Sequence, residues 1–291
     1  MNPKKRNPVW YIACPIVINF AVSFCVQMAA QFIYMMFHAE RMMAVMNDTE
    51  AMIEWAYTIA AEILQYSTEI TGAASLVMIP AALWLFHKDQ KEDRLGGQVP
   101  PRKLIPSMYG ILFVLGVAVC IAASNLITLS SVSSLSSTYE PPAEYMYSSP
   151  FMMQIICLGI ITPIAEELMM RGLVYKRLSN LLPKKRAMII TALIFSIMQA
   201  NLVQFIYTAC LGLLFAYIYD CYGSLTAPIF IHMVLNLTSV TASGLNLFSW
   251  IFYSPVRMAV VTIICAAVGA GMFVVIQKFN QSNHPTVEET V

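Results

Sequence analysis

The sequence predicts an all-α protein, a polytopic transmembrane helix bundle of about eight spans with both termini cytoplasmic. Three observations predict it. Of 291 residues, 58% are hydrophobic and only 11% are charged, with a mean hydropathy of +0.67. Soluble domains carry about 25% charged residues, so this chain cannot cover a water-facing surface. Apolar stretches near the length of about 20 residues that a span requires recur along the chain. The basic residues fall between those stretches in a regular pattern. A net charge of +1 leaves no electrostatic footprint for a phosphate polymer. Nucleic acid is excluded as a partner, the lipid bilayer is expected, and the location is a multi-pass one in the cell membrane.

The expected spans are 9–37, 69–87, 105–129, 151–174, 187–202, 204–220, 224–243 and 256–277. Lys4, Lys5 and Arg6 before the first span resemble the start of a signal peptide, but the apolar run is too long for one, and a retained helix is expected. Lys88, Lys91, Arg94, Arg102 and Lys103 separate spans two and three. Lys176, Arg177, Lys184, Lys185 and Arg186 separate spans four and five, and Lys278 follows the last. Eight alternating spans place all of these on one side and leave Arg41 and Arg257 on the other, which the positive-inside rule makes the outside.

Residues 1–130 form an amino-terminal unit with an outer segment at 38–68 and a polar cytoplasmic linker at 88–104. Within 38–68, residues 51–66 are apolar enough for a surface helix or an early start to the second span. Residues 131–150 are a Ser-rich outer stretch with Pro141 and Pro142 at a turn. Residues 150–245 form a core unit, and 246–291 hold the last span and a polar tail. The seven cysteines lie in or beside apolar segments without any CxxC pair, which reads as small buried side chains.

Nearly all polar and ionisable side chains within spans fall in the core unit, and an ionisable group in hydrocarbon marks a functional site by default. Span four carries Glu166, Glu167 and Arg171. Adjacent helical residues point about 100° apart, and Glu167 stands four residues before Arg171, the favoured order for an ion pair. Glu166 is then left without a local cation, the condition for a general base. Pro163 cannot donate to the carbonyl of Gly159, so a kink or a freed carbonyl is expected there. Span seven carries His232 and Asn236 on one face, the Asn able to orient the imidazole or donate to a carbonyl oxygen. Span five carries Gln199, whose first reading is a helix–helix hydrogen bond. Asp220, at the inner end of span six, is expected to meet water or a basic loop residue. Depth arithmetic places Glu166, Gln199 and His232 in one layer open to the cytoplasmic half.

Glu166-Glu167-x-x-x-Arg171, Phe195-x-x-x-Gln199 and His232-x-x-x-Asn236, on successive spans, resemble the three-motif pattern of the CAAX protease and bacteriocin-processing family of intramembrane endopeptidases. The resemblance covers about residues 150–245. It implies that Glu166 activates a water, that Glu167 and Arg171 hold the first motif, and that His232 and Asn236 polarise the scissile carbonyl or stabilise its oxyanion. The implied partner is a peptide or protein substrate at the membrane, in peptide maturation or bacteriocin self-immunity. The chain departs from the family at Gln199, where histidine is usual. Glutamine can donate to an oxyanion but is a poor zinc ligand beside imidazole. Zinc, which would rest on Glu166 and His232, is therefore disfavoured, and no other cofactor is implied. The departure also opens a second reading, a pseudoprotease that binds a membrane partner. A transporter with a Glu166–His232 proton relay is disfavoured because no paired broken helices of an inverted repeat are visible.

Overall fold

The computed structural model describes residues 7–95, 105–129, 148–199 and 202–283. Among these residues every regular element is helical. The elements are α1 (Pro8–Phe37), α2 (Ala39–Val45), α3 (Thr49–Leu64), α4 (Ser67–Leu95), α5 (Pro106–Leu129), α6 (Phe151–Ser179), α7 (Lys184–Ile197), α8 (Leu202–Tyr222), α9 (Thr226–Gly244), α10 (Leu247–Phe252) and α11 (Pro255–Asn283). Seven of them, α1, α4, α5, α6, α8, α9 and α11, are long and apolar enough to cross a membrane. The chain is a multi-pass membrane protein.

The expected fifth span is shorter than predicted. Helix α7 has 14 residues, or about 21 Å at the helical rise, and stops short of the 187–202 boundary. The Ser196 hydroxyl bonds back to the Ala192 carbonyl and Gln199 N–H closes a tight turn on Ser196. Such back-bonding competes with helix propagation. Helix α8 then returns along α7, and Lys184 at the start of α7 pairs with Asp220 at the end of α8 at 2.8 Å. Both ends of the hairpin therefore lie at one end of the bundle. Asp220 has met the basic loop residue expected of it.

The polar linker predicted at 88–104 is partly helix. Helix α4 continues to Leu95 because its charged last turns find partners on α6: Asp89 accepts from Arg177 at 2.7 Å, and Asp93 pairs with Lys176. Residues 96–104, and the Pro141–Pro142 turn, lie outside the described residues. Within 38–68 a helix separate from α4 forms: the Asp48 carboxylate caps α3 by accepting from the N–H groups of Glu50 and Ala51. The turn at Gln65 and Tyr66 separates α3 from α4. The last helix runs to Asn283, beyond the expected 277.

Two apolar clusters build the bundle. One joins α4, α6 and α7 around Met78, Ala82, Leu173, Tyr175 and Phe195. The other joins α5, α8, α9 and α11 around Leu112, Phe215, Ile231 and Ile276. Helix α1 lies at the edge, with Pro15 its one buried residue. Helix α8 approaches α7 closely because position 212 is glycine; a Cβ there would sit 3.0 Å from the backbone of Ala192. That close approach puts Phe195 and Phe215, one from each cluster, on either side of the polar residues of α6.

Candidate active site

Helix α6 is not a uniform α-helix. Ile155–Ile161 and Leu168–Tyr175 are π-helical and enclose a short α-helical stretch, Thr162–Glu167. Wide turns of this kind concentrate at functional sites, and here the cause is local. Thr162 N–H reaches the Cys157 carbonyl, five residues back. In that register the next donor, to Leu158, would be Pro163, which has none. The carbonyl of Leu158 is therefore left without a helical donor. Asn236 of α9 fills the gap: its Nδ2 donates to the Leu158 oxygen at 2.8 Å. The carbonyl that Asn236 serves belongs to the neighbouring helix, α6. Asn236→Leu should leave a carbonyl unpaired in an apolar setting, at a cost of about 1–3 kcal/mol. A fall in thermal stability in detergent, with peptide hydrolysis reduced only secondarily, is the expected measurement.

The two carboxylates separate as their helical angles require. Glu167 is wholly buried, and its Oε1 accepts from Arg171 Nη1 at 2.7 Å and pairs with His232 Nδ1 at 2.9 Å. Arg171, also wholly buried, donates through Nη2 to the Gly212 carbonyl at 2.9 Å. Its guanidinium lies 5.1 Å from the Phe195 ring and 5.2 Å from Phe215. The Phe215 ring stacks on the His232 imidazole at 4.7 Å. Three helices, α6, α8 and α9, thus meet in an Arg171–Glu167–His232 chain clamped between two aromatic rings. Arg171 supplies the countercharge that lets Glu167 stay in a dry setting. A carboxylate against Nδ1 fixes the ring orientation and the proton on that nitrogen.

Glu166 points the other way, with its side chain 31% exposed. Its Oε2 is 3.7 Å from His232 Nε2, the nitrogen left over by the Glu167 bond. The separation is too long for a good hydrogen bond and leaves both atoms available to a shared third group. Glu166 and Gln199 line one cavity of about 340 Å³, with Phe195 and Met169 between them. Glu166 thus shares the cavity with Gln199 and stands beside His232.

Sequence reasoning missed two contributions. Phe215 was hidden because an aromatic in an apolar span carries no distinguishing mark. Asn19, Ser23 and Gln27 of α1, with Thr71 and Ser75 of α4, form the wall of the cavity opposite α6. Their signal was present: Asn19, Ser23 and Gln27 recur every fourth residue, a polar stripe on an otherwise apolar helix.

The segment holding this arrangement can now be placed. Residues 148–238 match the family model Type II CAAX prenyl endopeptidase Rce1-like. The resemblance to the CAAX protease family is thereby borne out over α6 to α9, which carry all six predicted site residues, Glu166, Glu167, Arg171, Gln199, His232 and Asn236. No curated protein and no solved structure matches the chain. The Rce1-like match supports a CAAX-type intramembrane protease, whose substrates are peptides or proteins of the bilayer. The Rce1-like segment supplies the charged network, and helices α1 and α4, which precede it, complete the cavity wall.

Zinc can be tested against the donors of the Rce1-like segment. A catalytic zinc takes three protein ligands. Among the described residues that line the cavity, Glu166 is the one carboxylate; His232 Nε2 lies 3.7 Å from it, and Gln199 offers an amide. Glu167 is wholly buried, bonds Arg171 and His232 through Oε1, and does not line the cavity. Among the described residues no group of three His, Cys, Asp or Glu could hold a metal ion. The donor set does not suit zinc.

Proposed function

We propose that the protein is an intramembrane endopeptidase that hydrolyses a peptide bond of a membrane-associated peptide or protein with a water activated by Glu166. The observation that carries the reading is the gap between Glu166 Oε2 and His232 Nε2, with His232 held from behind by Glu167. A water in that gap gives one hydrogen to Glu166 and the other to the lone pair of Nε2. As the water oxygen attacks the scissile carbonyl carbon, Glu166 takes its proton. The carbonyl oxygen becomes an oxyanion, and the Gln199 amide donates to it. Collapse of the tetrahedral intermediate breaks the C–N bond, and Glu166 passes the proton to the departing nitrogen. Glu167 and Arg171 position His232 and do not touch the substrate. No step needs a metal. Maturation of a secreted peptide, or self-protection against a bacteriocin, is the kind of process such cleavage serves.

Internally quenched peptides in proteoliposomes test the reading. One set carries a farnesylated cysteine near the carboxyl end, the other is unmodified and apolar. Wild-type protein should cleave at least one peptide, with or without chelator, and Glu166→Gln should not. Activity abolished by chelator would replace the metal-free mechanism, and cleavage that survives Glu166→Gln would end the assignment. Removing one oxyanion donor typically costs about 10²–10³ in kcat. Gln199→Leu should therefore lower kcat by that factor with KM little changed.

One observation favours a second reading. Gln199 stands where the family pattern has histidine, and a chain that had abandoned cleavage for partner binding would tolerate that change. Such a protein would cleave no peptide of either set, and its cellular phenotype would survive Glu166→Gln.

A further inference from the structure

Helix α1 is the least buried of the seven helices long enough to span, and Val9, Phe24, Phe32 and Phe37 on it are exposed. Against that background, Asn19 and Gln27 are part-buried, and with Ser23 they line the cavity that Glu166 and Gln199 also line. None of the three has a hydrogen-bond partner among the described residues. Two amides and a hydroxyl left unpaired in an apolar helix are costly, and they point to a ligand that supplies both donors and acceptors. A peptide backbone leaving water is such a ligand, since each of its N–H and C=O groups must be satisfied within the membrane. Asn and Gln side chains offer both a carbonyl and an amino group, so they can serve either.

Spacing selects the conformation of that peptide. Residues four apart on a helix are separated by about 6 Å along the axis. Two residues of an extended chain span about 6.6 Å. Asn19, Ser23 and Gln27 thus keep step with every second residue of an extended segment, whereas a helical segment has already paired its own backbone and could use none of them. The apolar side chains of Phe20 on α1, Ala74 on α4 and Met169 on α6 line the same cavity and suit apolar side chains between those contacts. The wall is held in register by one clasp. Arg177 of α6 donates to the Tyr11 carbonyl of α1 at 2.6 Å, lies 4.4 Å from the Tyr11 ring, and pairs with Asp89 of α4.

We propose that α1 is the substrate-binding wall, and that Asn19, Ser23 and Gln27 hold the backbone of an extended, apolar segment so that its scissile bond lies at Glu166. The inference rests on the endopeptidase reading for its reaction, but the binding it describes can be measured separately.

The probe is the quenched peptide that wild-type protein cleaves fastest. Losing one backbone hydrogen bond should cost about 3- to 10-fold in affinity. Asn19→Leu, Ser23→Ala and Gln27→Leu should each raise KM by that factor and the triple variant by about 100-fold or more, with kcat within about twofold. Methylating alternate amide nitrogens of the probe should weaken wild type and leave the triple variant unchanged. An unchanged KM in a triple variant that still depends on Glu166 overturns this inference alone. Binding is read independently by placing the photoreactive residue p-benzoylphenylalanine at Ser23 or at the lipid-facing Phe24 in Glu166→Gln protein, with the unmodified apolar peptide in the vesicles. Capture at position 23 and not at 24 is expected. Equal capture at both overturns the wall. If wild type cleaves no peptide, selective capture at 23 still supports the wall while the peptidase reading falls.

Discussion

Glu166→Gln is expected to yield a protein that purifies and melts like wild type and hydrolyses peptide about 10²–10⁴-fold more slowly, the usual contribution of a positioned general base. The substitution keeps shape and volume and removes only the capacity to take a proton. Stability should hold because Glu166 is not part of the buried Glu167–Arg171 ion pair: its Oε2 stands 3.7 Å from His232 Nε2, and its side chain is partly open to the cavity. Steady-state rates and a thermal melt on the same preparation separate the two effects. Peptide binding to the inert variant should persist, because Asn19, Ser23 and Gln27 are unchanged and the substitution at Glu166 keeps the shape of the cavity.

Arg171→Met should produce the opposite outcome, a loss of folding that takes activity with it. Arg171 and Glu167 are both wholly buried, and breaking such a pair from one side leaves an uncompensated charge, at a cost of about 3–5 kcal/mol. Low yield and a lowered Tm in detergent are the expected measurements. Arg171→Lys should not restore the protein, because an ammonium cannot bond Glu167 and the Gly212 carbonyl together and lie flat between Phe195 and Phe215. The double variant Glu167→Gln/Arg171→Met removes both charges and should regain much of the stability. It should stay impaired in hydrolysis, because the His232 ring loses its carboxylate partner on Nδ1. A double variant as unstable as Arg171→Met would show that the pair acts through something other than its charge.

These two variants separate the carboxylates that stand side by side in the sequence. That Glu166 and Glu167 differ follows from helical geometry and from the four-residue step to Arg171, and both were legible along the chain. The use to which Glu167 is put was not. Its bond to His232 joins α6 to α9 across 65 residues, and no pattern local to either helix announces it. Asn236 shows the same limit from the other side. Its spacing from His232 is that of a pair on one face, yet the amide bonds Leu158, because the π-turn before Pro163 leaves that carbonyl without a helical donor. A change of helical register depends on hydrogen bonds that the residue sequence leaves open.

Membrane embedding, the run of helices and the layer holding Glu166, Gln199 and His232 are properties of hydropathy, charge placement and spacing. Each is a sum over neighbouring residues, so the chain alone sufficed for them. Packing decided the rest: the shortness of α7, the continuation of α4 through its ion pairs to α6, the aromatic clamp of Phe195 and Phe215, and the facing of α1 onto the cavity. Those features depend on which helix lies beside which, and the free energies involved arise between side chains far apart in sequence. An Asn in a lipid-facing span reads the same whether it meets hydrocarbon or a cavity, and only the neighbouring helix makes the difference.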